Sequence, residues 1–71
     1  MAAREAELAM VKRHVRDGKR CVTRQREIVA HLEKNGHPTE SARALLTSFE
    51  EVQVLHKQHL ARLMSEVALG V

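Results

Sequence analysis

The sequence predicts an all-α fold: an antiparallel helical hairpin that dimerises into a four-helix bundle. Three observations carry that expectation. Apolar residues recur at an unbroken three-then-four spacing through both halves of the chain, the pattern of a helix packed lengthwise on other helices. Asn35-Gly36-His37-Pro38 separates the halves and holds both a helix stop and a helix start. The composition favours helices: Ala, Leu, Val, Glu, Arg and Lys abound, while 3 Gly and 1 Pro are too few for a fold with many tight turns.

The first helix is expected over residues 3–34. Its stripe is Leu8, Val11, Val15, Gly18, Val22, Gln25, Val29 and Leu32. His14, Cys21 and Ile28 lie one heptad apart beside it and widen the apolar face. Asp17-Gly18 is a possible turn signal. The stripe keeps one phase before and after Gly18, however, and a helical glycine costs only about 1 kcal/mol, so one continuous helix is predicted.

Gly36 is placed to end that helix in the left-handed conformation. Pro38 cannot continue a helix and disfavours helical geometry at His37. Thr39 can then cap a second helix over residues 40–68, with Glu40 near the positive end of its dipole. The second stripe is Ala42, Leu45, Leu46, Phe49, Val52, Gln53, His56, His59, Leu60, Leu63 and Val67. A link this short makes the helices antiparallel neighbours. Folding about Gly36 and His37 sets Gly18 opposite His56 and gives every other layer some apolar content.

Each face is three positions wide, and one helix pair shields only a narrow seam. A chain of 71 residues is also marginal as a single domain without a staple. Its single cysteine, Cys21, cannot form an internal disulfide, and no cysteine or histidine spacing fits structural zinc. A second copy is therefore the expected support. The predicted core and interface residues are Val15, Gly18, Val22, Gln25, Ile28, Val29, Leu45, Phe49, Val52, His56, Leu60 and Leu63.

The net charge of +3 is unevenly spread. Up to Gly36 there are nine Lys/Arg against five Asp/Glu, a balance of +4; from His37 onward there are three against four, a balance of −1. Lys12, Arg13, Arg16, Lys19, Arg20, Arg24 and Arg26 form the dense part, a possible face for nucleic acid or an acidic partner. They fill several outer positions rather than one stripe, and no aromatic residues are interleaved to stack on bases. No apolar run is long enough for a membrane helix. The opening residues carry Arg4, Glu5 and Glu7 and lack the apolar stretch of a secretory signal. With one unpaired cysteine, a reducing cytoplasm is the expected compartment.

Chemistry has little to stand on. No Ser-His-Asp set, phosphate loop or paired carboxylates appear, so no enzyme and no cofactor is expected. His56 and His59 share a helical face and could approach a metal, but the Glu-x-x-His pattern of carboxylate-bridged bundles is missing, and no metal site is expected. His14 has a glycine four residues on, as phosphotransfer histidines do, yet Asp17 stands where such a site wants a cation. Lys19, Arg20 and Arg24 give Cys21 the basic neighbours of a reactive thiol, although such a cysteine more often acts as a small apolar residue.

Arg24 to Leu63 resembles a group of short uncharacterised bacterial proteins built as helical hairpins. The shared elements are Arg24 and Arg26, the link residues Gly36 and Thr39, and Ala42, Leu45, Leu46, Phe49, Glu50 and Glu51. The resemblance implies a bacterial cytoplasmic hairpin and carries no activity, cofactor or site residue with it. The expected function is a non-enzymatic, homodimeric interaction module that binds another protein. Nucleic-acid binding through the basic face is one alternative, and histidine phosphotransfer through His14 is another.

Overall fold

The computed structural model describes residues 2–70 and has two helices, α1 (Ala2–Lys34) and α2 (Glu40–Ala68). They pack side by side as an antiparallel hairpin, a rod of 53 × 14 × 14 Å. The first helix runs through Asp17 and Gly18 without a break. The uninterrupted stripe outweighs the local turn signal there, because every residue past Gly18 stays in phase with the packed face.

The turn between the helices is a complete Schellman motif. The Gly36 N–H donates to the Glu33 carbonyl at 3.1 Å, and the His37 N–H donates to the Leu32 carbonyl at 2.9 Å. Gly36 sits at φ +70°, a conformation that costs any residue with a Cβ. The Asn35 side chain also donates to the His31 carbonyl, at 2.7 Å.

Thr39 occupies the capping position, but its side chain makes no cap hydrogen bond. The backbone explains the departure. Thr39 has ψ −3°, in the helical region, whereas a capping side chain needs extended geometry to reach back over the first turn. Its hydroxyl instead accepts from Arg43 Nε at 3.1 Å.

The core of the hairpin is thin. Val11, Val22, Val29 and Leu63 are buried apolar residues, joined by two glutamines, Gln25 and Gln53. Val15, Phe49 and Leu60 are half-buried. Leu45, expected in the core, is 45% exposed. It lies on the flank of α2, where one neighbouring helix cannot cover it.

The glutamines clamp the helices reciprocally. Gln25 Nε2 on α1 donates to the Ala42 carbonyl of α2 at 2.9 Å. Gln53 Nε2 on α2 donates to the Val15 carbonyl of α1 at 2.7 Å. Carbonyls already engaged within a helix keep a second lone pair, so each clamp satisfies a buried amide N–H without breaking a helical bond. Buried polar contacts of this kind are suited to holding one helix–helix register.

Candidate functional site: the apolar side of the hairpin

The two long sides of the rod differ in chemistry. On one side Arg26 pairs with Glu50 at 3.1 Å, and Arg43 pairs with Glu33. All four side chains are well exposed, so each pair is worth at most about 1 kcal/mol. A shallow groove there is lined by Lys19, Arg26, Glu50 and Lys57 together with Val54.

The other side is apolar. His14, Gly18 and Cys21 of α1 and Phe49, Val52, Gln53 and His56 of α2 line a cleft of about 350 Å³, with Asp17 at its rim. Helical spacing extends this side in both directions. Ile28 lies one heptad beyond Cys21, Leu45 one heptad before Val52, and Met10 four before His14. Met10, Ile28, Leu45 and Val52 are 42%, 38%, 45% and 47% exposed. Monomeric proteins seldom leave an apolar side this long in water.

Inside the cleft the sequence-predicted layers are shifted. Gly18 was expected opposite His56, but Gln53 fills the space above it. A Cβ built on Gly18 would run into Gln53 Oε1 and stand 2.9 Å from Gln53 Cδ. The glycine is therefore needed for close approach, not for its backbone angles. It lets the Gln53 amide lie flat on α1 and reach the Val15 carbonyl. His56 stacks on His14 instead, with ring centroids 5.4 Å apart and a 36° tilt. Two polar atoms here lack protein partners: Gln53 Oε1 and His56 Nδ1.

That packing makes a prediction. Gly18→Ala should destabilise the native protein, because the new methyl displaces the Gln53 amide. The loss of a buried hydrogen bond, about 1–3 kcal/mol, exceeds the helix-propensity gain of about 1 kcal/mol. In a Gln53→Ala background the same substitution should become stabilising. Thermal melts of the four-member cycle measure this; a stabilising Gly18→Ala with Gln53 intact would rule out the close approach.

The other residues singled out by sequence are now located. His59 turns to Glu7, with Nε2 at 3.5 Å from its carboxylate, while His56 turns to His14. The two imidazoles therefore serve different partners. Among the described residues, no group of three His, Cys, Asp or Glu side chains comes together to hold a metal ion. His14 is exposed, and Asp17 is the charged side chain that shares its cleft. Cys21 is an exposed free thiol on the same cleft wall. Lys12, Arg13, Arg16, Lys19, Arg20, Arg24 and Arg26 are all exposed and spread over the outer half of α1. Arg26 is occupied by Glu50, and Arg16 comes within 4.0 Å of Asp17.

No helix among the described residues is long and apolar enough to cross a membrane. Compared with family models, curated proteins and solved structures, the chain matches none. A short all-α hairpin is as far as the resemblance read from Arg24 to Leu63 reaches, and the apolar side must be interpreted from its own geometry.

Proposed function

We propose that this chain is a non-enzymatic protein-interaction module whose working form is a homodimeric four-helix bundle, acting in the cytoplasm as expected for the bacterial hairpins it resembles. The observation that carries the reading is an excess of surface, together with an open apolar cleft on one side. A compact monomer of 8.0 kDa would expose about 4,500 Å². The hairpin exposes 5509 Å². The surplus of roughly 1,000 Å² is close to the roughly 800 Å² that each partner buries in a standard specific interface. Covering the cleft side with its own copy removes that surplus and leaves the ion-paired side in water. Lys12, Arg16, Lys19 and Arg20 also stay outside and offer a basic surface to an acidic protein partner.

Sedimentation equilibrium of the full chain tests this. The expected mass at micromolar concentration is twice the 8.0 kDa of one chain, with helicity that falls on dilution as dimers dissociate. A helical, concentration-independent monomer would overturn the reading.

A further inference from the structure

One hairpin leaves the cleft open. Gln53 is 6% exposed, and its Oε1 has no hydrogen-bond partner. The walls beside it are apolar side chains left open to solvent, among them Phe49, Val52 and Cys21. A second copy can close such a cleft in two symmetric ways. Its loop can lie at the same end as the first loop, or at the opposite end. The two arrangements place different residues in contact, and charge decides between them.

With the loops at one end, α1 faces α2 of the copy at equal height. Asp17 then lies against the level of Val54 and Leu55, where the nearest cation, Lys57, faces the opposite groove, and the two His14–His56 layers fall together. With the loops at opposite ends, α1 faces α1 and α2 faces α2, each antiparallel to its counterpart. An axis crossing α1 midway between Asp17 and Arg24, beside Cys21, sets Asp17 of each copy against Arg24 of the other. The hairpin register, with Gly18 under Gln53, carries that axis across α2 between Glu50 and Glu51. There Val52 of one copy meets Phe49 of the other. One axis thus joins the apolar sides of both helices; Glu50, which it sets level with Glu51 of the copy, stays paired with Arg26 in the opposite groove.

We infer that the dimer is assembled with its loops at opposite ends, about a twofold axis beside Cys21, so that Phe49 and Val52 of the second copy complete the cleft and Asp17–Arg24 pairs flank it. The inference rests on the homodimer reading above and adds its geometry. Asp17 and Arg24 are both exposed in a single hairpin, and the Arg16 contact to Asp17 is at the 4.0 Å limit of an ion pair, so both charges are free to serve the interface. Cys21 acts as a natural ruler. Facing helices in a bundle lie about 8–10 Å apart, which brings the two Cys21 Cα atoms near the roughly 4.4–6.8 Å that a disulfide spans. In the other arrangement the two α1 helices are diagonal, about 13 Å between axes, and the thiols stay apart.

The test uses the full chain at a concentration where sedimentation gives the dimer mass. Diamide is added; two thiols lose two electrons and two protons to it, forming one S–S bond and the corresponding hydrazine. The expected result is a covalent dimer in high yield, unchanged helicity and no cross-link in Cys21→Ser. Asp17→Arg and Arg24→Asp should each weaken self-association about tenfold, because two rim pairs become repulsive. The double reversal should recover most of that loss. A dimer whose thiols stay reduced, or whose double reversal is as weak as the single changes combined, overturns the arrangement while leaving the dimer intact. A monomeric mass before diamide is added overturns the homodimer itself.

Discussion

Leu63→Ala should cost about 2–5 kcal/mol, the range for truncating a buried leucine that leaves a cavity. For a chain of this size such a loss approaches the whole stability, so the variant should be largely unfolded at 37 °C by circular dichroism. The reason is how little the hairpin buries. Leu63 is 4% exposed and Val11 is 1% exposed, and among the described residues only Val22 and Val29 join them as buried apolar residues. No large core exists to absorb the loss. Phe49 provides the contrast. It is the only aromatic residue of the chain, yet it is half-buried and lines the cleft. Phe49→Ala should therefore act mainly through the second copy, with a melting temperature that recovers as protein concentration rises. Leu63→Ala should stay destabilised at concentrations where the Phe49 variant has recovered. Equal behaviour of the two variants across a hundredfold concentration range would show that Phe49 belongs to the hairpin core.

Much of this architecture could be read before folding was considered. The heptad phase of Val11, Val22 and Val29 places α1 correctly, because a buried stripe needs only a period. Gly36 announces its Schellman turn, because few other residues tolerate that backbone conformation. The widened face was legible too: Ile28 and Val52 occupy flank positions and remain open on a single hairpin. Cross-helix register was not legible. Sliding one helix by a few residues keeps both stripes apolar, so the sequence could not tell whether Gly18 would meet His56 or Gln53. That choice depends on the exit angle of the turn and on a glutamine long enough to reach the Val15 carbonyl. The Thr39 cap failed for a related reason. Its residue type was right, but a backbone angle set by the turn before it kept the hydroxyl away from the first-turn N–H groups. Gln53 Oε1 was beyond reach as well, since a side-chain amide can be left unpartnered only by a particular packing.

Val52→Glu should separate the hairpin from its assembly. Val52 is 47% exposed in one copy, and a charge at so open a position changes hairpin stability by no more than about 0.5 kcal/mol. In the proposed bundle the same position would be covered, and symmetry would bury two new carboxylates in every dimer. An unpaired charge taken out of water costs several kcal/mol, so the dissociation constant should rise at least a hundredfold, about 2.7 kcal/mol. Val54→Glu is the matched control. Val54 is 52% exposed and faces the opposite groove, beside Lys19, Arg26 and Lys57, where a carboxylate finds cations and water. It should leave the mass in solution unchanged. Helicity completes the argument: because the single hairpin buries so little, Val52→Glu should also lose helix at low micromolar concentration and regain it when concentrated. Equal masses for the two variants would mean that the apolar side is not where copies meet, and the surplus surface would then need a different occupant.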